Sequence, residues 1–182
     1  ILLNSFVEYV RSLLGMIQEN FTYESVFRYL RSGYCEFTED EIDRLENYCL
    51  ALGIKGYKKW QQAWARKTKE ADEEEVEKLN HLRVKFVEKI DPLMFVSRQK
   101  KKTVLDITLA VYEFIAGEHL QEKLEQQQKF FAEQGELTLA KEYEQIYRIV
   151  MELFDKFSEL LGDEPITLKE YCELLDAGFE EA

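Results

Sequence analysis

TYESVFRYLRSGYCEFTEDEIDRLENYCLALGIKGYKKW (residues 22–60) decides the fold class, because it strings two closed helices and one basic, aromatic segment together without a strand between them. Thr22 stands where its hydroxyl can cap a helix that carries Val26, Phe27 and Leu30 on one side, and Gly33 follows where a left-handed residue costs least. Thr38 with Glu41 three positions later forms a capping box, after which Ile42, Leu45, Cys49 and Leu52 recur at helical spacing up to the stop at Gly53. Residues 54–69 then carry Lys55, Lys58, Lys59, Arg66, Lys67 and Lys69 with no acidic residue, interleaved with Tyr57, Trp60 and Trp64. So cationic a stretch stands out in a chain of net charge −12.

The same grammar extends to both sides. Leu3, Phe6, Val7, Val10, Leu13, Leu14 and Ile17 predict an opening amphipathic helix. An acidic entry over residues 71–77 leads into a stripe of Val76, Leu79, Leu82, Phe86, Val87 and Ile90, which Pro92 kinks or divides into two helices in line. Thr103 with Asp106 caps the next helix, carrying Val104, Ile107, Val111, Phe114 and Ile115, with Gly117 closing it. A helix near residues 119–133 and a long one through Leu137, Ala140, Tyr143, Ile146, Val150, Leu153, Phe154, Phe157 and Leu160 follow, stopped by Gly162. Thr167 with Glu170 caps a last helix that ends near Gly178. No alternation of period two runs far enough for a strand. The expectation is an all-α fold, a single irregular helical bundle of about 7–9 helices over residues 1–182, with a basic aromatic loop at 54–69.

The wording VFRYLRSGY and DEIDRLENYCLALGIKGYKKW resembles the AddB (RexB-like) subunit of bacterial AddAB helicase-nucleases. The resemblance continues through LNHLRVKFVEKIDPL (79–93), KKTVLDITLAVYEFI (101–115) and residues 133–179, nearly the whole chain. It implies an insertion-type subdomain similar to the 2B subdomain of UvrD-type helicases, within the helicase-like half of a larger ATP-dependent helicase/deoxyribonuclease subunit. The absence of an initiator Met suits an excised segment. The resemblance further implies a cytoplasmic role in double-strand break end processing and recombinational DNA repair, with the remainder of its own chain and an AddA-type subunit as partners. An iron-sulfur cluster and magnesium belong elsewhere in such a parent; no four-cysteine set or nuclease motif matches these residues.

The residues themselves argue against chemistry here. None of the eight glycines precedes Lys-Ser/Thr in a phosphate loop. Neither His81 nor His119 follows a Glu by three positions, as a di-iron bundle requires. Cys35, Cys49 and Cys172 are odd in number and widely spaced, which fits reduced structural thiols. No apolar run is long enough to span a bilayer.

What remains is contact. Residues 118–182 hold 6 basic and 17 acidic side chains, so phosphate binding would have to come from the first two thirds. Two clusters qualify as DNA or partner contacts: Lys55, Lys58, Lys59, Trp60, Trp64, Arg66 and Lys67, then Lys100, Lys101 and Lys102 beside Arg98. Trp60 and Trp64, four apart, could stack on bases while lysines neutralise phosphates; equally, they could pack the loop onto the bundle and leave the lysine heads in water. Arg28 and Arg31 read as salt-bridging residues, with Glu24 or Asp43 as partners. A stand-alone helical protein-interaction adaptor is the alternative to an AddB-type subdomain. An independent DNA-binding module and an autonomous enzyme complete the possibilities.

Overall fold

The computed structural model describes residues 1–182 and contains nine helices and no strand. They are α1 (Ser5–Gln18), α2 (Tyr23–Leu30), α3 (Glu39–Leu52), α4 (Tyr57–Gln61), α5 (Glu73–Ser97), α6 (Val104–Gly117), α7 (Leu120–Glu133), α8 (Leu137–Leu161) and α9 (Leu168–Glu181). The caps are where the sequence puts them. The Thr22 hydroxyl accepts from the Ser25 amide, and Thr38, Thr103 and Thr167 each open a reciprocal box with Glu41, Asp106 and Glu170. Each box satisfies two of the amides a helix start leaves unpaired.

Helices α7 and α8 form an antiparallel hairpin; α6 lies against α5, α7, α8 and α9, and α1 packs on α2, α8 and α9. One contiguous apolar cluster of 43 buried residues runs from Phe6 to Phe179. Ion pairs stitch its exterior: Arg28 to Glu8, Arg31 to Asp43 and Glu46, Arg44 to Glu75, and Arg11 to Asp176. Arg31 thus finds the expected Asp43, whereas Arg28 reaches Glu8 across the α1–α2 contact in place of Glu24 in its own helix.

Several local expectations need correction. Helix α5 runs unbroken through Pro92, which sits on the exposed face where the carbonyl it leaves unpaired meets water. Leu3 precedes the Asn4 cap and is fully exposed, and Leu137 and Leu160 lie on the outer side of α8. Gly178 does not end α9: the helix continues to Glu181, and the glycine lets α9 approach α8 so closely that a Cβ would lie 2.9 Å from both Leu153 methyls. The left-handed residue after α6 is His119, two positions beyond Gly117. The segment between α3 and α5 contains one short helix, α4, where sequence suggested only a loop.

An isolated bridge pairs Thr103 with Pro165, and the Ile166 amide donates to the Lys102 carbonyl. The turn between α5 and α6, which bears Lys100–Lys102, is therefore tied to the turn between α8 and α9.

Candidate nucleic-acid interface

Residues 54–69 form a strap running antiparallel along α5. Tyr57 sits beside Arg98 near the end of that helix, Trp60 against Phe86 in its middle, and Trp64 at Asn80 toward its start. A mostly irregular segment must find partners for its backbone polar groups outside itself. At its entry Gly56 N–H donates to the Phe21 carbonyl (3.0 Å) and Tyr57 N–H to Asn20 Oδ1 (3.3 Å). Asn20 and Phe21 are both left-handed, at φ 52° and 58°, and Phe21 is fully buried against the Tyr57 ring at 4.8 Å. That conformation is costly for a bulky residue and is held by the surrounding packing.

Further along, the Tyr57 hydroxyl donates to Asp91 at 2.6 Å. Burial, reinforced by this carboxylate, pushes the phenol well above its usual range. The Asn80 amide clamps Trp64 from both sides, Oδ1 accepting its N–H at 2.9 Å and Nδ2 donating to its carbonyl at 2.7 Å. Arg83, only 6% exposed, donates to Asn80 Oδ1 and the Trp60 carbonyl, and its guanidinium lies 5.8 Å from the Trp64 ring centre. Burial pulls its pKa down. At the far end the Tyr48 hydroxyl donates to the Arg66 carbonyl at 2.6 Å.

The outcome separates rings from cations. Trp60 is 1% and Trp64 7% exposed, in a cluster with Phe86 and Tyr48. Base stacking is not open to rings so placed, because they are packed against the protein itself; the anchoring role is the one their position serves. Lys55, Lys58, Lys59, Arg66, Lys67 and Lys69 are exposed, and none has a carboxylate at ion-pair distance.

The second basic cluster lies next to the first. Arg98 stacks its guanidinium over Tyr57, 4.8 Å from the ring centre, so the end of α5 meets the start of α4. Lys100 and Lys101 are exposed, while Lys102 is half-buried and caps the Gln99 carbonyl with its ammonium at 2.8 Å. Beside this corner an apolar groove between α5 and α6 is lined by Phe95 and Leu109, 69% and 50% exposed.

Asn20, Tyr48, Asn80 and Arg83 were not legible as strap anchors. A signal existed for one of them: Val76, Leu79, Arg83, Phe86 and Ile90 step by three and four, so Arg83 occupies a core position of the α5 stripe. No group of three or more His, Cys, Asp or Glu side chains converges as a metal site would require. The three cysteines are free; burial pushes Cys35 up to about 11 and Cys49 and Cys172 to about 12, which does not suit thiolate ligands. No helix is long and apolar enough to cross a membrane.

No protein-family model matches this chain. Across its full length it is 42% identical to the AddB subunit of the ATP-dependent helicase/deoxyribonuclease of Lachnoclostridium phytofermentans, covering 16% of that protein. The proteins of the same name from Clostridium novyi and Alkaliphilus metalliredigens are 36% and 35% identical over 98% and 97% of the chain, again covering 15% and 16% of their own lengths.

Proposed function

We propose, from a similarity that runs the whole length of this chain and reaches 16% of its relative's length, that it is a helical subdomain of an AddB-type ATP-dependent helicase/deoxyribonuclease subunit. In this reading it is noncatalytic. It acts as scaffold and as a contact surface for DNA or an AddA-type partner subunit during double-strand break end processing and recombinational repair in the cytoplasm. Motor, nuclease, iron-sulfur cluster and magnesium would belong to the remainder of the assembly.

The observation that carries this reading is the strap. Its polar anchors engage backbone, amide and phenol groups and leave its six cations free, an arrangement suited to contact and lacking the nucleophile, base or metal ligands of a reaction centre. The test is direct. The purified chain is expected to show no ATPase or deoxyribonuclease activity above background with magnesium, and either activity, lost with point variants of this chain, overturns the reading.

A second reading, a stand-alone adaptor for a protein partner, draws on the α5–α6 groove with its exposed Phe95 and Leu109. If it holds, Phe95→Ser abolishes capture of an isolated protein partner in the absence of any AddB remainder. If the leading reading holds, the same change weakens assembly with the rest of an AddB polypeptide.

A further inference from the structure

We infer that the groove between α5 and α6 seats an amphipathic helix, about three turns long, supplied by a part of the AddB-type polypeptide outside these residues. This deepens the preceding reading and rests on it. Composition, shape and charge lead there independently.

Helix α6 has only two charged residues, Asp106 and Glu113, and Asp106 is engaged in the Thr103 capping box. A helix that is apolar on all sides is ordinarily covered on all sides. Helices α5, α7, α8 and α9 cover α6 only in part. Its outer row of Leu105, Leu109, Tyr112 and Ala116, spaced by four, three and four, still meets water, and Leu109 and Tyr112 are 50% and 46% exposed. Leu109 forms one wall of the groove and Phe95 of α5 belongs to the other.

The groove has a volume of about 710 Å³ and a lining that spans residues 88–99 and 106–117. Either stretch, at 1.5 Å per residue, is about 16 Å long, which matches about three turns of a third helix. An extended segment would fit poorly, because the backbone groups of α5 and α6 are already paired within their own helices and offer it no ladder.

The two ends of the groove differ in charge. The Lys89–Glu118 pair closes one end, and Glu88 and Glu113 stand toward it, exposed and without an ion pair. Lys101 stands at the other end, likewise exposed and unpaired. The complementary occupant carries an apolar stripe with a basic side chain at its Glu88 end and an acidic one at its Lys101 end.

Size selects the source. A specific complex between separate chains buries about 1,600 Å², more than one short helix in one groove provides. A helix tethered in the same polypeptide needs less, since a short linker presents it at an effective concentration on the order of millimolar. This chain covers 16% of its Lachnoclostridium phytofermentans relative, so the AddB reading leaves most of the polypeptide available to supply the helix.

The experiment is hydroxyl-radical footprinting of the intact AddB-type polypeptide without its AddA-type subunit, with Phe95 compared against Phe6, which is fully buried within the bundle. Phe95 is expected to be oxidised as slowly as Phe6. L109R, a change at an exposed position on the groove wall, restores oxidation of Phe95 and leaves Phe6 protected. E88K/E113K and K101E, which remove no apolar contact, do the same and decide the matter if L109R also exposes Phe6.

Free oxidation of Phe95 in the unaltered polypeptide overturns the inference. So does protection that appears only when an AddA-type subunit or another separate chain is added, protection that grows with protein concentration as a second copy would require, or protection that survives all three variants. None of these results would touch the AddB reading, which fails separately if the chain itself hydrolyses ATP or cuts DNA.

Discussion

Replacing Asn80 by alanine tests the strap at its tightest point. The side chain makes three hydrogen bonds, two to the Trp64 backbone and one from Arg83 Nε. Taken separately, two neutral bonds at about 0.5–1.5 kcal/mol and one to a charged donor at about 1.5–3 would sum to about 2.5–6 kcal/mol. Asn80 is half-buried and lines an open groove with Trp64 and His81, so water can replace part of what is lost. The expected destabilisation is therefore about 2–3 kcal/mol, or about 5–10 °C in Tm for a chain of this length. Both tryptophans lie in the strap, so urea unfolding followed by indole fluorescence reports its detachment, while far-UV circular dichroism reports the helices. Asn80→Ala should shift both transitions to lower urea and raise acrylamide quenching of the native indoles. K58A/K59A, on the exposed side, should stay within about 0.5 kcal/mol of the parent chain. A loss below about 0.5 kcal/mol in Asn80→Ala, with quenching unchanged, would refute the claim that this clamp holds the strap.

Two glycines should respond in opposite directions. A Cβ on Gly162 would run into the Ser158 carbonyl oxygen, which cannot move without disturbing the end of α8, so Gly162→Ala should cost about 1–3 kcal/mol by thermal unfolding. Gly15 lies inside α1 with nothing within 4 Å of its would-be Cβ, and Gly15→Ala should add about 0.4–1 kcal/mol. The fork from Arg44 holds the Glu75 carboxyl below its ordinary range, so the ion pair contributes fully above the unfolded value and is lost as pH falls through the lower folded one. The stability difference between the parent chain and Glu75→Gln should accordingly shrink on acidification, as followed by urea titrations below neutral pH. With Cys35 raised to about 11 and Cys49 to about 12, native thiols should label slowly at neutral pH and quickly in urea. Because folding raises these values, their contribution holds below pH 9 and declines as pH climbs through them.

Helix starts were readable because capping is local. The Thr38, Thr103 and Thr167 boxes close between residues three apart, and nothing distant has to cooperate. Helix ends were less readable: Gly178 continues α9 since α8 rewards its close approach, and His119 takes a left-handed turn that Gly117 could have taken. Apolar periodicity named most of the core, but it also included Leu3, Leu137 and Leu160, whose neighbours in space are solvent. The sense of Trp60 and Trp64 was undecidable along the chain, because an aromatic residue between lysines reads alike whether it stacks on a base or on Phe86.

By itself, then, the amino-acid order determined an all-α chain, its capped helix starts, the position of its cationic segment and its similarity to AddB-type subunits, all properties of neighbours in sequence. The tertiary structure alone decided that the tryptophans face inward, that Arg83 lies buried under the strap, and that Arg98 joins two distant basic clusters over Tyr57. The reason is range. Capping and periodicity act over three or four residues, whereas burial and electrostatic continuity depend on partners such as Asn80 and Phe86, which reach the strap only when α5 is packed beside it.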